Sequence, residues 1–445
     1  MKTGPITVIG AGLAGCEAAW QIAGRGVPVR LYEMRPNQMT PAHTGGRFAE
    51  LVCSNSLGSN LPDRAPGLLK AELRRLASLI LTVADRHAVP AGGALAVDRD
   101  GFAQAVTQAV EGQPLITVIR EEVAELPADR PLVLAAGPLM SPALTTDASR
   151  LTGAGGLAFY DAMAPIVTQD SIDMSVAFRA GRYGQESDYI NCPLSEEEYR
   201  RFVDALLSAE LAPLRGFEAE DRRFFEACLP VEVLARRGEM ALAYGPLRPV
   251  GLTDPRTGGR PFAVVQLRQD DAAATLYNLV GFQTNLRFGE QDRVFRLIPG
   301  LERAEFVRYG QMHRNTFLDS PRLLGADFEM RREPGMFVAG QLTGTEGYVG
   351  STASGWVAGV NAARRLYGRS ILSFPPETMI GALSRYISNE ELADFQPMKP
   401  NFGLLPPLDV RYRKRERYGA YAARAMQALD RFIVQEDLLP KGATA

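Results

Sequence analysis

The feature that most constrains this chain is the stretch Ile6-Thr-Val-Ile-Gly-Ala-Gly-Leu-Ala-Gly15 near its start. Its first residues are mostly β-branched, which is typical of a strand buried on both faces of a parallel sheet. We interpret Gly10 as the residue of a tight turn and Gly12 as the point where a pyrophosphate approaches the backbone. Gly15 then allows the following helix to pack closely on the strand.

The residues after the glycines complete a strand–helix–strand unit. A helix is predicted from about Leu13 to Ala23, and its first turn offers amide groups and a positive dipole end to an anion. A second strand is predicted at Val27–Tyr32, followed by Glu33, where a carboxylate accepts hydrogen bonds from an adenosine ribose. These offsets predict a dinucleotide site formed by Gly10, Ala11, Gly12, Leu13, Ala14, Gly15 and Glu33.

Length and charge limit the classes of function. A chain of 445 residues is too long for one simple core, so two domains are expected. The 49 Lys and Arg residues nearly balance the 51 Asp and Glu residues, so any nucleic-acid surface has to be a local patch. No apolar run reaches membrane-spanning length, which predicts a cytoplasmic protein without a membrane partner. Four cysteines and three histidines predict neither a disulfide framework nor a metal site.

An irregular segment rich in Gly, Pro, Asn and Ser extends from Glu33 to about Pro66. Long loops beside a cofactor site are usually functional. Cys53 lies in this segment, within Glu50-Leu-Val-Cys-Ser-Asn-Ser-Leu57. Most free cysteines are small buried apolar residues, but the polar neighbours of Cys53 keep a chemical role open.

Further helices and strands follow in the first third of the chain. A single helix is predicted over Leu68–Leu81, a second over Gly101–Glu111 and a strand around Thr117–Arg120. The apolar stretch Pro131–Gly137 predicts another strand, and its small final residues, including Gly137, would allow the backbone to approach a cofactor.

The pattern changes from about Asp161, where short strands and an amphipathic helix over Glu196–Leu211 are predicted. Eight arginines but only four acidic residues lie between Arg222 and Arg268, a local excess that suits a polyanion or, equally, a solvated surface. Cys228 lies inside this segment. Nearby guanidinium groups would favour its thiolate if they approach it, and the candidates are Arg222, Arg223, Arg236 and Arg237.

Near Phe328 the chain returns to the pattern of its first part. A strand over Gly335–Gly340 leads through a glycine-rich turn into a helix predicted from Ser351 or Thr352 to Tyr367. The N-terminus of that helix would face the pyrimidine edge of a flavin. The dinucleotide is therefore interpreted as FAD, and its second set of residues is Gly340, Gln341, Gly347, Gly350 and Ser351.

The fold class that follows is α/β, a Rossmann-like FAD-binding domain of the two-dinucleotide-binding flavoprotein type with an inserted α+β domain. Residues 1–160 are interpreted as the first part of the FAD-binding domain, 161–328 as an inserted substrate domain, and 329–445 as the second part with a C-terminal helical segment. That segment is predicted to be helical from Arg411, and its five basic residues suit either phosphate or a solvated face.

Several motifs together resemble one family. They are GAGLAG, ELVCSNSL, FEACLPVE, YGPLRPVGL, GFQTNL, HRNTFLDSP, GQLTGTEGYVGS and NFGLLPPL, and they span almost the whole chain. The family comprises the folate- and FAD-dependent tRNA (uracil-5-)-methyltransferases (TrmFO-type), relatives of the GidA flavoproteins, which modify the wobble uridine. The resemblance implies formation of ribothymidine in the T-arm of tRNA, with 5,10-methylenetetrahydrofolate, FAD, and NADH or NADPH as reductant. It implies that the inserted domain, residues 161–328, binds tRNA and folate, and it implies no stable protein partner.

The resemblance also implies roles for particular residues. Carbon C5 of uracil is a poor nucleophile, and addition of a thiolate at C6 produces an enolate that can attack a one-carbon electrophile. Cys228 is assigned as the C6 nucleophile and Cys53 as the thiol that assists removal of the C5 proton, with exchange of the two roles left open. His313 corresponds to the family's histidine that stacks on the folate pterin. The four arginines around Cys228 are assigned to tRNA phosphates.

Three alternatives remain open at this stage. A GidA-type wobble-uridine enzyme would be expected to carry a larger helical C-terminal part than the approximately 75 residues that follow Arg369. A flavin oxidoreductase for a small molecule would need neither the basic segment nor both cysteines. An RNA-binding protein with a structural flavin would not need the polar cysteine loop.

Overall fold

The structure, a computed structural model, describes residues 4–152, 157–184, 188–212, 229–392, 395–410, 412–413 and 416–438. For residues 151–152, 157–162 and 313–315 it describes the backbone only. The predictions for Cys228, Arg222 and Arg223 therefore lie outside the described residues, as does the side chain of His313.

The described residues form strands and helices that we number in chain order. The strands are β1 (Ile6–Ile9), β2 (Val29–Tyr32), β3 (Ser56–Ser59), β4 (Ala88–Val89), β5 (Ala94–Val97), β6 (Ile116–Ile119), β7 (Leu132–Leu134), β8 (Leu157–Ala162), β9 (Ile166–Thr168), β10 (Phe178–Arg179), β11 (Tyr189–Leu194), β12 (Ala263–Gln269), β13 (Leu276–Leu279), β14 (Phe306–Arg308), β15 (Met312–Phe317) and β16 (Met336–Val338). The α-helices are α1 (Leu13–Ala23), α2 (Ala65–Arg75), α3 (Leu79–Arg86), α4 (Arg99–Glu111), α5 (Pro142–Thr152), α6 (Glu196–Ser208), α7 (Val231–Ala235), α8 (Ala241–Tyr244), α9 (Phe288–Phe295), α10 (Ser320–Leu323), α11 (Tyr348–Leu366), α12 (Met379–Ile387) and α13 (Arg417–Glu436).

A five-stranded parallel sheet carries the first and last parts of the chain, in the order β16-β7-β1-β2-β6. All four residues of β1 are buried, as expected for a central strand covered on both faces. The carboxyl ends of the four strands β1, β2, β7 and β16 meet at one edge of the sheet, which is where ligands bind in open α/β sheets. The predicted α/β class is confirmed.

Helices α1 and α11 pack against each other because glycine lies at their contact. A Cβ on Gly355 would lie 2.2 Å from the carbonyl oxygen of Ala14, and one on Gly359 would lie 2.6 Å from that of Ala18. Segments more than 300 residues apart in sequence are thereby held side by side at the carboxyl edge of the parallel sheet.

A second sheet is built from the middle of the chain. Its six strands are antiparallel, in the order β10-β11-β12-β13-β9-β14, and its inner face packs on α6, α7 and α9 in a separate buried core. Two smaller sheets, β3-β5-β4 and β15-β8, complete the described strands. The limits proposed for the inserted domain, residues 161–328, stay a prediction.

Four predicted helices have wrong limits. The helix predicted over Glu196–Leu211 ends at Ser208, because Ala209 takes an extended conformation. The helix predicted over Leu68–Leu81 is two helices, α2 and α3, because Ala77 takes a φ of 54° and Ser78 then caps α3 by accepting a hydrogen bond from Leu81. Helix α11 begins at Tyr348, ahead of the predicted start, because Gly347 (φ 86°) ends the turn and serves as its N-cap. Helix α13 begins at Arg417, and residues 412–413, which are described and were predicted to be helical, lie outside it.

Among the helices that the structure describes, none combines the length and the apolar character that a membrane span requires.

Candidate cofactor and active site

A cavity of about 400 Å³ opens at the carboxyl edge of the parallel sheet. From the first part of the chain, the predicted residues that line it are Gly10, Gly12, Leu13, Ala14, Glu33 and Cys53. From the later parts they are Gly137, Gly340, Gln341, Gly347, Gly350 and Ser351. The fold therefore brings both halves of the predicted dinucleotide site, together with Cys53, to one cavity.

Glycine occurs at each of the three positions of the first motif for a different geometric reason. Gly10 has a φ of 97°, and a Cβ there would lie 2.5 Å from the carbonyl oxygen of Ala135 on the neighbouring strand connection. A Cβ on Gly15 would lie 1.7 Å from the carbonyl oxygen of Gly10. At Gly12 a Cβ would meet nothing within 4 Å. Gly10 and Gly15 are thus required by packing, whereas Gly12 leaves open space against the cavity.

Two helix N-termini point into this cavity. Gly12 is the N-cap of α1 and Gly347 is the N-cap of α11; neither end has a side-chain cap or an acidic residue in its first turn. Their amide groups and positive dipole ends are therefore available to negative charge in the cavity. The residues present fit a dinucleotide, whose pyrophosphate is anionic.

Glu33 is fixed on the wall of the cavity. Its carboxylate accepts hydrogen bonds from the amide of Ala11 at 3.0 Å, from the amide of Arg35 at 3.0 Å, and from the Arg35 guanidinium at 3.0 and 3.2 Å. Burial acts to raise the pKa of Glu33, but the hydrogen bonds and charge of Arg35 outweigh it, so that the pKa lies below its usual value. Glu33 is therefore an ionised acceptor in a fixed orientation. Ala11, which does not line the cavity, positions it.

The loop between Glu33 and Cys53 is ordered by charged groups. Arg35 is buried and also binds Glu50, 3.1 Å away, and Glu50 in turn accepts hydrogen bonds from the amides of Thr44 and Gly45. Arg120 donates to the carbonyl oxygen of Arg35 at 3.0 Å. A segment without a core of its own is thereby fixed against the parallel sheet.

Cys53 contacts the first residue of α11. The Cys53 sulfur lies 3.0 Å from the hydroxyl oxygen of Tyr348, which also accepts hydrogen bonds from the amides of Cys53 (2.9 Å) and Ser54 (3.3 Å). Burial, and then the neighbouring Cys53, raise the pKa of Tyr348 well above its usual value. The phenol therefore stays protonated at neutral pH.

Three arginines from different elements surround the same loop. Arg99 donates to the carbonyl oxygen of Leu51 and pairs with Asp270 at 3.0 Å. Arg268 of β12 donates to Asn55 at 3.1 Å and to Ser54 at 2.7 Å. Arg308 of β14 donates to the carbonyl oxygen of Val52. The loop that carries Cys53 is thus hydrogen-bonded to the antiparallel sheet, and it also forms part of the cavity wall.

Other predicted residues lie apart from the cavity lining. Arg236 and Arg237 are exposed just after α7. The backbone of His313 lies on β15, whose Thr316 amide donates to the carbonyl oxygen of Pro138, a residue of the cavity wall. Cys16 and Cys192 are buried, and burial raises the pKa of both thiols, so neither suits nucleophilic chemistry.

Sequence reasoning missed the residues that surround Cys53. Tyr348 lies inside the quoted motif GQLTGTEGYVGS, but no local pattern distinguishes a phenol that reaches another loop from one that packs in a core. Arg99, Arg268, Arg308 and Asp270 are scattered over more than 200 positions, and only the fold brings them together. For Arg35 a signal existed, since a cation two residues from a buried carboxylate is placed to pair with it.

The chain is similar to known proteins over nearly its full length. The family described as "Glucose inhibited division protein A" (GIDA) matches residues 5–370. A protein of Heliobacterium modesticaldum named methylenetetrahydrofolate–tRNA-(uracil-5-)-methyltransferase TrmFO is 59% identical over 438 residues, covering 98% of this chain and 99% of the relative. One of the same name from Thermosynechococcus vestitus is 60% identical, covering 96% and 93%.

A solved structure of Aquifex aeolicus GidA has the same fold. It superimposes with a TM-score of 0.70 at 16% sequence identity and covers 98% of this chain and 74% of that one. Because a match at this identity carries information on the fold alone, the family assignment depends on the sequence comparisons. By those matches, the chain belongs to the GidA family and, within it, to the TrmFO proteins.

Proposed function

We propose that this protein is an FAD-dependent enzyme that methylates C5 of a T-loop uridine in tRNA, with methylenetetrahydrofolate as one-carbon donor and NADH or NADPH as reductant. The activity is the one in the name of its relatives, which are 58 to 60% identical over nearly the full chain. The observation that carries the proposal is that Cys53 and two helix N-termini open to one cavity.

The chain offers a place for each part of FAD. The N-terminus of α1 at Gly12 would hold the pyrophosphate, and Glu33 would accept hydrogen bonds from the ribose. The N-terminus of α11 at Gly347 would face the pyrimidine edge of the flavin, where its dipole favours negative charge. When bound and reduced, FAD supplies the carrier for the one-carbon unit and the electrons that convert it to methyl.

The two cysteines would act on the uracil. The Cys228 thiolate is proposed to add at C6, so that the electron pair moves to the enolate and C5 becomes nucleophilic. Cys53 is proposed to receive the C5 proton after the new carbon–carbon bond forms. The opposite distribution of the two roles is compatible with the same residues, and Cys53→Ala and Cys228→Ala variants separate them by whether covalent tRNA adducts persist.

The remaining proposed roles concern substrates. His313, on the strand that contacts the cavity wall at Pro138, is proposed to stack on the folate pterin. The target uridine has to leave its stack, at a cost of roughly a few kcal/mol. We assign Arg222, Arg223, Arg236 and Arg237 to tRNA phosphates, which would offset that cost by charge attraction.

The test uses purified FAD-loaded protein, an unmodified tRNA transcript, methylenetetrahydrofolate labelled in its one-carbon unit, and NADH or NADPH. We expect label in ribothymidine after nuclease digestion. A transcript with cytidine in place of the T-loop uridine is the matched control and should take up none.

Two minihelices distinguish the family's two reaction types. One carries the T-arm and the other the anticodon arm with its wobble uridine. Label in the T-arm alone supports the proposal. Label in the anticodon arm alone would replace it with GidA-type modification, and no transfer to either RNA or to full tRNA would reject it.

A further inference from the structure

The loop around Cys53 is held by cations on several sides. Arg99, Arg268 and Arg308 donate to residues 51, 52, 54 and 55, which flank Cys53 in sequence. The three arginines come from α4, β12 and β14, so that two belong to the antiparallel sheet. All three are close enough for their charges to interact with the Cys53 sulfur.

The positive charge in this cluster is only partly balanced. Asp270 pairs with Arg99, and both side chains are largely buried. Within the described part of the chain, neither Arg268 nor Arg308 forms an ion pair, although Arg268 is only 8% exposed. Burial lowers the pKa of both guanidinium groups. Because a buried charge without a counterion is costly, this cluster favours an anion at its centre.

The other hydrogen bonds of the Tyr348 hydroxyl show which atom is the acceptor in its contact with the Cys53 sulfur. A phenol has one proton to donate and two lone pairs. The amides of Cys53 and Ser54 donate to the hydroxyl oxygen and occupy its lone pairs. The remaining contact, 3.0 Å to the Cys53 sulfur, is therefore made by the hydroxyl proton, so that sulfur is the acceptor. Charge-assisted hydrogen bonds of this kind are stronger when the acceptor is ionised.

We infer that Arg99, Arg268 and Arg308, together with the Tyr348 hydroxyl, are positioning residues that hold Cys53 as a thiolate at neutral pH. Among the described residues, the charged and polar groups that interact with Cys53 include these three cations and the phenol. Asp270 pairs with Arg99 and its charge also acts on Arg268 and Arg308, and the phenol of Tyr189 lies beside Arg268. Three positive charges against one carboxylate leave the balance in favour of the anion.

The consequence for the reaction depends on the proposed function. A thiolate can accept the C5 proton directly: the C5–H bond breaks, an S–H bond forms, and the electron pair stays on the uracil ring. A neutral thiol cannot. The ionisation state itself can be measured without methyl transfer, so that a failed methylation assay would leave the inference standing, and a neutral Cys53 would leave the methylation result standing.

The experiment is a pH titration of the FAD-loaded enzyme by NMR, with cysteine labelled with ¹³C at Cβ. The Cβ shift reports ionisation whether or not a reagent can reach the sulfur, and the Cys53 signal is identified by its absence in Cys53→Ala. We expect a midpoint below about pH 7. A midpoint at or above the ordinary value of about 8.5 would overturn the inference.

Two variants with opposite expected shifts separate charge from structure. Arg308→Met removes a cation and should raise the midpoint by about one pH unit or more, whereas Asp270→Asn removes the opposing carboxylate and should lower it. Arg308→Lys retains the charge and should stay near the native midpoint. Retained FAD and circular dichroism verify folding. Shifts in the same direction for Arg308→Met and Asp270→Asn would show a structural effect and reject the role of charge.

Discussion

Gly355 on α11 lies against the carbonyl oxygen of Ala14 on α1, with space for no more than a hydrogen atom: a Cβ would lie 2.2 Å from that oxygen. The two helices whose N-termini open to the cavity are therefore held in register by backbone contact. Side chains could yield to a small intrusion, whereas backbone atoms in two packed helices cannot.

We accordingly expect Gly355→Ala to weaken FAD binding and stability together. Overpacking of this kind costs about 1 to 3 kcal/mol, and separation of α1 from α11 would also misalign the two anion-binding ends. The measurements are the thermal midpoint and the FAD retained after gel filtration. Gly419→Ala is the matched control, since its Cβ would meet nothing within 4 Å in the exposed part of α13. It should be neutral or stabilising, and equal behaviour of the two variants would contradict the packing argument.

A pH dependence of stability is expected from Glu72. Its buried carboxylate accepts hydrogen bonds from the amides of Met379 (2.6 Å) and Ile380 (2.9 Å) at the start of α12, and burial raises its pKa from 4.5 to about 7. The folded protein thus holds this proton more tightly than the unfolded chain. The free energy of unfolding should therefore fall as pH rises from about 4.5 to 7, by up to about 3 kcal/mol, and level off above.

The Glu72→Gln variant tests this assignment. It keeps one carbonyl acceptor but cannot titrate, so its denaturation midpoint in urea should change less between pH 5 and pH 7 than that of the native protein. Glu305→Gln changes an exposed glutamate in the same way and is the control. An unchanged pH slope in Glu72→Gln would remove Glu72 as its source.

Cysteine variants should separate chemistry from cofactor binding. Cys53→Ala is expected to abolish ribothymidine formation while the absorbance of bound FAD stays near normal. Cys53 lines the cavity, but the groups proposed to hold FAD are the two helix N-termini and the Glu33 carboxylate. Cys192→Ala removes a thiol that is buried in the antiparallel sheet. It should lower the thermal midpoint and leave turnover largely intact. Near-normal turnover of Cys53→Ala would end its proposed role.

Charge reversal at Arg236 and Arg237 should weaken tRNA binding. Both are exposed after α7, and each phosphate contact that is lost should reduce the slope of log K against log[salt] by roughly one unit. Arg322→Glu reverses the charge of an exposed arginine whose described ion-pair partner is Asp319 and serves as the control. Filter binding from low to moderate salt is the measurement. If the slope is unchanged in the Arg236 and Arg237 variants, these residues do not contact phosphate.

The sequence by itself determined the parallel sheet and the dinucleotide motif, because both depend on local physics. Together, a β-branched strand, glycines at fixed offsets and an acid after the second strand are typical of one strand–helix–strand unit. It also indicated the return of the chain to the same sheet near Phe328, since glycines ending an apolar strand are visible in any window. Helix limits were harder to predict. The break at Ala77 depends on Ser78 as the N-cap of the next helix, but a polar residue at this position also fits the pattern of one continuous helix.

Only the tertiary structure decided what surrounds Cys53. Whether a thiol is buried and inert or available to become an anion depends on charges within a few ångströms, and here those charges come from positions 99, 268 and 308. Sequence spacing holds no information on such distances, because loops and two separate sheets bring these residues together. Thus the sequence predicted the dinucleotide site and a chemical role for Cys53, and the fold supplied the phenol and the guanidinium groups that give this cysteine its environment.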